Sequence, residues 1–321
     1  MIKAKKIYLL LFYTFYQSIL VAQLKIEDIK TDKDVVKFIE YFGGIKNQQW
    51  RRVSLEYKDK IFLKYTSKED IATIDSIAKQ KWVIEDFNND GEKDLIVACK
   101  IYTQFEILGF ISYENEGFAF DSCFYSLINL STEYSRQFPS GIYRVDNGGQ
   151  PLIKLVKYHR SNIKQELKKN FKEDTLLYKI SSFVEYDDKD VTLAKFDSII
   201  FRRTYTWDPQ PPLLKLYADG TFKLFSNKYG FNSDTSDWKE GVFTAKVGEK
   251  TIKIFNEILG YINYNQLSST YRIAGITDLA RFRTEVYYKG TMKIVDDYGG
   301  QGTYGLRLLY RELLRLKAML Q

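Results

Sequence analysis

Hydrophobic and polar residues alternate with a period of two along most of the chain, and this period predicts β-strands. Two segments, Leu213–Tyr217 and 221–225, flank an Asp219-Gly220 turn and form the clearest predicted hairpin. Other alternating segments are 95–101, 106–113 and 118–125 (predicted as a three-strand meander), 140–145 with 152–158, 180–186, 197–207, and 282–288 with 291–295. The pattern therefore predicts a chain that is mainly antiparallel β-sheet.

Apolar residues recur with the helical period of 3.6 in a few shorter segments. These predicted helices cover 32–42, 68–78, 249–259 and 304–319. In the last one Arg307, Arg311 and Arg315 share a stripe, which we interpret as an exposed helix side. The Lys-rich segment 160–180 is predicted to be an exposed loop or a short helix. We predict an α+β fold with two domains, mainly antiparallel β-sheet with a few packing helices.

The first residues resemble an export signal. Lys3, Lys5 and Lys6 precede a mostly apolar run over 7–21, and Ala22 offers a small-residue exit before Gln23. The run is short for a membrane span, which needs about 20 apolar residues. We predict a signal peptide at 1–22, a β-rich domain at 23–190 and an α+β domain at 191–321. No integral membrane segment is expected after signal removal.

Composition and charge narrow the classes of partner. The chain has 321 residues, of which 45% are hydrophobic and 16% aromatic, which is enough to build buried cores. The net charge is +7, and subtracting the three signal lysines leaves +4. This charge is too diffuse to indicate nucleic acid. Lysines such as Lys215 and Lys223 alternate with leucine and phenylalanine, and we interpret them as solvated strand positions.

Oxygen donors fall at alternate positions in one short segment. They are Asp86, Asn88, Asp90, Glu92 (through its backbone carbonyl) and Asp94. Ca²⁺ binds about six to eight oxygens, so a short loop must curl around the ion, and Gly91 stands where the curl is tightest. We predict a structural Ca²⁺ site here. The alternative is an Asp/Asn/Gly-rich turn without metal.

The segment begins like an EF-hand loop, D-x-N-x-D-G, but Val97 stands where that loop needs a Glu, and its flanks read as strands. It resembles instead the D-x-D/N-x-D-G-x-x-D-L loop of FG-GAP/VCBS repeats, over about residues 82–99. This resemblance implies Ca²⁺ binding. Because the sequence has one good copy, a closed propeller is not implied.

The C-terminal part, about residues 196–319, looks like a domain of unknown function found in exported bacterial proteins. The resemblance rests on the Asp-Gly hairpin, on Thr277-Asp278, and on Asp297-Tyr298-Gly299 before a Leu-rich helix. It implies no particular activity. The segment around the acidic loop looks like the partner domain of some of these proteins.

Residues suited to nucleophilic catalysis are sparse. Cys99 and Cys123 would stand on the first and third strands of the meander, too far apart for a disulfide, and are predicted to be buried free thiols. His159 is interpreted as a surface residue, and no G-x-S-x-G motif is present.

The favoured function is an exported, non-catalytic, Ca²⁺-stabilised binding or structural module, located in the periplasm, on the surface or outside the cell. Its partner would be an unidentified protein or glycan of the cell envelope. The alternative is a carboxylate-dependent hydrolase acting in the envelope. Its candidate residues are Asp187, Asp188, Asp278, Asp296 and Asp297.

Overall fold

The computed structural model describes residues 25–45, 53–56, 67–102, 104–112, 125–129, 140–158, 171–187, 195–204, 212–226, 241–272 and 279–319. Contacts between Cα atoms divide the chain into two compact units, Met1–Thr175 and Leu176–Gln321. These are the N-terminal unit and the C-terminal unit.

The predicted α+β class is confirmed: the described residues form mostly antiparallel sheet with four α-helices. The helices are α1 (Asp32–Ile45), α2 (Lys68–Ile77), α3 (Glu249–Tyr261) and α4 (Tyr304–Ala318). They lie where the apolar period placed them, with ends shifted by one to three residues. No described helix has the length and apolar character needed to cross a membrane.

The N-terminal unit contains a five-stranded sheet. Its strands are β1 (Val53–Ser54), β2 (Trp82–Glu85), β3 (Asp94–Ile101), β4 (Gln104–Ser112) and β5 (Tyr125–Asn129). β3 lies at the centre, paired with β1, β2 and β4, and β5 pairs with β4. The sequence predicted the third meander strand at 118–125, and of this range only Tyr125 belongs to the described residues, where it is part of β5.

Aromatic side chains fix α1 against this sheet. Phe38 and Phe42 contact Phe110 of β4 edge to face, with ring centroids 5.2 and 5.0 Å apart. All three rings are buried, and such pairs stabilise the fold beyond the area that they bury. The Trp82 indole N–H donates to the Asp32 carboxylate over 2.8 Å, which ties the start of α1 to β2.

A second hairpin in the N-terminal unit joins β6 (Ser140–Val145) and β7 (Leu152–Tyr158). It is followed by β8 (Phe171–Lys179), which starts in this unit. The sequence predicted an exposed loop or short helix over 160–180, and for 171–179 this was wrong. Its lysines made the segment look solvated, but Asp174 is buried, and an ion pair with Lys157 compensates its charge.

The C-terminal unit begins with the end of β8, which pairs with β9 (Ser182–Glu185) through a tight turn. Ile180 and Ser181 have φ of 53° and 57° in this turn, a conformation that a β-branched residue rarely adopts. Arg311 of α4 donates to both of their carbonyls, over 3.2 and 3.0 Å. Two hydrogen bonds from α4 therefore hold the turn.

A seven-stranded sheet forms the rest of this unit. Its strands are β10 (Ser198–Thr204), β11 (Leu213–Tyr217), β12 (Thr221–Ser226), β13 (Gly241–Lys246), β14 (Thr270–Tyr271), β15 (Arg281–Tyr288) and β16 (Thr291–Tyr298). The order across the sheet is β13-β12-β11-β10-β15-β16-β14, antiparallel except for β14 with β16. The short strands β13 and β14 were not predicted.

Both helices of the C-terminal unit pack on one face of the seven-stranded sheet. Phe255 of α3 and Leu309 of α4 share a buried cluster with Ile199 and Val286 of the sheet. The ring of Tyr310 stacks on Phe282 with centroids 4.9 Å apart. The first turn of α4 is held by Glu185, whose carboxylate accepts from the backbone N–H groups of Tyr304 and Gly305, where the helix dipole favours negative charge.

Candidate functional site

The acidic loop connects β2 to β3, in which Glu85 pairs with Asp94. Eight residues lie between these two positions, and the backbone must reverse within them. Asn89 (φ 60°) and Gly91 (φ 91°) supply left-handed conformations, which asparagine and glycine adopt more readily than other residues. The sequence therefore builds this turn locally.

Three loop side chains fold back onto the loop's own backbone. Asp86 accepts from the N–H groups of Asp90 and Gly91, over 3.1 and 2.9 Å. Asn88 Oδ1 accepts from the Asp90 N–H over 3.2 Å, and Asp90 Oδ1 accepts from the Glu92 N–H over 2.9 Å. These bonds curl the segment so that Asn88 and Asp90 lie side by side, with Asn88 Nδ2 2.7 Å from Asp90 Oδ2.

Asp94 is the buried member of the loop, with no exposed surface. Its two oxygens accept from the N–H groups of Phe87 and Ser112, both over 2.7 Å. Burial raises the pKa of Asp94 to about 6, and the negative charge of Asp90 acts in the same direction, against the hydrogen bonds from Ser112 and Phe87. A desolvated carboxyl is thus held beside another carboxylate.

Ser112, at the end of β4, joins the two carboxylates. Its Oγ lies 2.9 Å from Asp94 Oδ1 and 3.1 and 3.2 Å from the two oxygens of Asp90. A hydroxyl has one proton to donate, so it can satisfy one of the two carboxylates at a time. The oxygen lone pairs of the hydroxyl then face the other carboxylate, and a proton or a cation there would relieve this repulsion. Asn88 Nδ2 also donates to the Ser112 carbonyl, over 2.8 Å.

The sequence-predicted ligands are brought together only in part. Asn88, Asp90 and Asp94 meet around Ser112, whereas the Asp86 carboxylate is turned to the Asp90 and Gly91 N–H groups and Glu92 is exposed. Among the residues that the structure describes, no three His, Cys, Asp or Glu side chains are arranged to hold a metal ion. The donor set is all oxygen, which fits a hard cation chemically, and Ca²⁺ binding stays a prediction.

The hydrolase candidates do not gather into a pair in the described part of the chain. Asp296 and Asp297 are consecutive on β16 and point to opposite faces of the sheet. Asp296 is paired with Arg281, whose Nε lies 2.6 Å away. Asp297 is fully buried and accepts from the Gln301 and Gly302 N–H groups over 2.7 and 3.0 Å. Asp188 and Asp278 lie outside the described residues, and Asp187 follows β9.

Other residues noted in the sequence serve structural contacts. Cys99 is a buried free thiol, and burial raises its pKa, so it is not poised as a nucleophile. Cys123 and His159 lie outside the described residues. In the arginine stripe of α4, Arg311 binds the β8–β9 turn and Arg315 pairs with Glu312. The third, Arg307, lies 4.4 Å from the centroid of the Tyr304 ring.

The fold and site define an α+β protein, mostly antiparallel sheet, that carries an acidic strand-to-strand loop. Residues 214–317 match the family model described as Domain of unknown function (DUF6438). This agrees with the resemblance noted for the C-terminal part, and it covers about a third of the chain. No curated protein and no solved structure matches the chain.

Proposed function

We propose that the chain is an exported, non-catalytic binding or structural protein of the cell envelope, stabilised by a Ca²⁺ ion at the acidic loop. The ligands would be Asp86, Asn88, Asp90, Glu92 and Asp94. The observation that supports this most is the pair of neighbouring carboxylates, Asp90 and Asp94, which share the one proton of the Ser112 hydroxyl and repel each other.

A bound Ca²⁺ would neutralise the carboxylates that now repel one another. This chain's own residues prepare the loop: Asn89 and Gly91 give it the curl, and the Phe87 and Ser112 N–H groups hold Asp94 in place. Because Asp94 anchors β3 to the end of β4, an ion there would stabilise the centre of the N-terminal sheet. Asp86 and Asn88 would have to exchange loop hydrogen bonds for the ion.

The alternative, a carboxylate-dependent hydrolase, requires two carboxyl groups that face a common space. Asp296 and Asp297 face away from each other, and both are used in contacts within the C-terminal unit. We therefore favour the binding or structural role. The proposed export can be tested by sequencing the N-terminus of the protein recovered from its producing cell, which should begin near Gln23.

Isothermal titration calorimetry with CaCl₂ tests the metal proposal. We expect saturable binding to the wild-type chain with a Kd of roughly 10⁻⁴–10⁻³ M, the range of extracellular calcium modules. Asp90→Asn should abolish the binding. Glu69→Gln, which removes an exposed charge of α2 in the same unit, is the matched control and should bind like the wild type. A wild-type chain that gives no saturable heat would overturn the proposal.

A further inference from the structure

The seven-stranded sheet has two chemically different faces. The inner face packs on α3 and α4 and carries Phe201, Leu214 and Leu224. Because side chains alternate along a strand, the neighbouring positions point to the other side, which is called the outer face here. Met292 and Val242, on two different strands of this outer face, are 50% and 59% exposed.

Basic side chains dominate the outer face. Strand register and alternation assign six of them to it: Arg202, Lys215, Lys223, Lys246, Arg281 and Arg283. The acidic residues assigned to the same face in the described strands are Glu285 and Asp296. The outer face therefore carries an excess of four positive charges, although the net charge of the whole chain looked diffuse.

The register places like charges directly opposite each other, which destabilises a sheet. Arg202 stands opposite Arg283, and both share Glu285 Oε1, over 3.1 and 3.0 Å. Lys215 stands opposite Lys223. Among the described residues these two lysines have no acidic partner, and the Lys215 ammonium lies instead 4.8 Å from the centroid of the Tyr217 ring.

Rings accompany the charges on this face. Tyr217 of β11 and Tyr287 of β15 both stand opposite Ser198 of the central strand β10. On this face, therefore, one phenol ring lies on each side of β10. Phe225, opposite Val242 near the sheet edge, is 39% exposed. Rings beside ammonium and guanidinium groups suit a ligand with both flat apolar surfaces and negative charge.

We propose that the outer face binds an acidic polysaccharide, with the lysines and arginines pairing its carboxylates and the rings stacking on its sugars. The choice of a glycan rests on the proposed envelope function. Charge chemistry supports it too. Glu285 and Asp296 pair with the three arginines of this face, which leaves the ammonium groups of Lys215 and Lys223 to pair with the carboxylates of the polysaccharide.

Binding of polygalacturonate to the full chain at low salt tests the proposal, with neutral dextran and single-stranded poly(U) RNA as comparison ligands and EDTA present throughout. The test variant is Lys215→Gln with Lys223→Gln. The matched control, Lys250→Gln with Lys253→Gln, removes the same charge from exposed positions of α3. Melting temperatures check folding, and the test variant should be at least as stable because a like-charge pair is removed.

We expect the wild-type chain to bind polygalacturonate but not dextran, and the affinity to fall with added salt. The test variant should bind about five- to tenfold more weakly, as two exposed ion pairs are lost, while the control binds like the wild type. Absence of wild-type binding, equal weakening in both variants, or tighter binding of poly(U) would overturn the proposal. Because EDTA is present, the result does not depend on the calcium loop, and either proposal can fail alone.

Discussion

Asp94 in the N-terminal unit and Asp297 in the C-terminal unit have the same kind of local structure but opposite electrostatic surroundings. Each is a fully buried carboxyl near one end of a strand, and each accepts hydrogen bonds from two backbone N–H groups. Burial raises the pKa of both. Asp94 faces the negative charge of Asp90, whereas Asp297 faces the positive charge of Arg307.

The difference indicates which buried acid needs an external cation. Two hydrogen bonds from backbone N–H groups stabilise the carboxylate in both turns. In the C-terminal turn, the Tyr310 hydroxyl and the positive charge of Arg307 also act against the rise in pKa that burial causes at Asp297. The acidic loop holds two carboxylates around one hydroxyl, and its basic neighbours, Lys93 and Arg144, pair with Glu85 instead. A turn with buried acid is therefore a metal candidate when no basic residue faces it.

The largest expected effect is on the free energy of unfolding as a function of pH. It tests the Asp94 side of this comparison. Because the folded pKa of Asp94 is raised to about 6, its protonated form stabilises the fold. This contribution is complete below the unfolded pKa of about 3.9 and is lost as pH rises through about 6, a decrease of roughly 2–3 kcal/mol.

Urea unfolding in EDTA at several pH values, on the wild type and on Asp94→Asn, measures this term. The free energy of unfolding of the wild type should decrease relative to the variant between about pH 4 and pH 7. Parallel curves for the two proteins would contradict the assignment of the shift to Asp94.

The second effect is stabilisation by Ca²⁺. At ten to a hundred times the Kd, we expect the wild type to gain about 1.4–2.7 kcal/mol at neutral pH. The gain should shrink below about pH 6, since the ion must displace the proton of Asp94. Thermal unfolding with and without CaCl₂ measures it, with Asp90→Asn as the variant that should lose the response and Asp297→Asn as the one that should keep it.

The third effect comes from the C-terminal turn. Asp297→Ala should destabilise the protein by about 1–3 kcal/mol, because the N–H groups of Gln301 and Gly302 lose their acceptor. The loss should be the same with and without Ca²⁺ in chemical unfolding. A Ca²⁺-dependent loss would break the comparison, since it would place a cation at the wrong turn.

The smallest expected effect comes from removing the basic residue near the C-terminal turn, which leaves Asp297, like Asp94, without a facing positive charge. Arg307→Gln removes the positive charge that lowers the pKa of Asp297, so burial should raise this pKa further. We expect a cost of about 0.5 kcal/mol at neutral pH and a steeper decrease in stability as pH rises. Urea unfolding at two pH values checks this, and an unchanged slope would show that Arg307 does not compensate Asp297.

The acidic loop was predictable because its determinants are local. Alternating donors, Asn89, Gly91 and two flanking strands all lie within one short segment, and the structure forms a hairpin there. Ser112 was missed because it contacts Asp94 across 18 residues, and only the β3–β4 register brings them together. A polar residue ending the apolar run of β4 was the available signal.

The other features that the sequence did not predict depend on residues that are far apart in the chain. β8 looked solvated because its segment is rich in lysine, but Asp174 pairs with Lys157 on a different strand, so both side chains can be buried. Glu185 binds the first turn of α4 across about 120 residues. The sequence analysis likewise interpreted the lysines of the outer face as separate solvated positions. The strand order that brings Arg202, Lys215 and Arg283 to one face is a property of the fold and does not follow from the local pattern.

The central claim, that the acidic loop takes up a calcium ion, is tested most directly by anomalous diffraction from crystals of the full chain grown with CaCl₂. We predict an anomalous peak about 2.3–2.6 Å from oxygens of Asp86, Asp90 and Asp94, with the Asn88 amide turned to offer its oxygen. A loop without such a peak, with Ser112 still bridging Asp90 and Asp94, would contradict it.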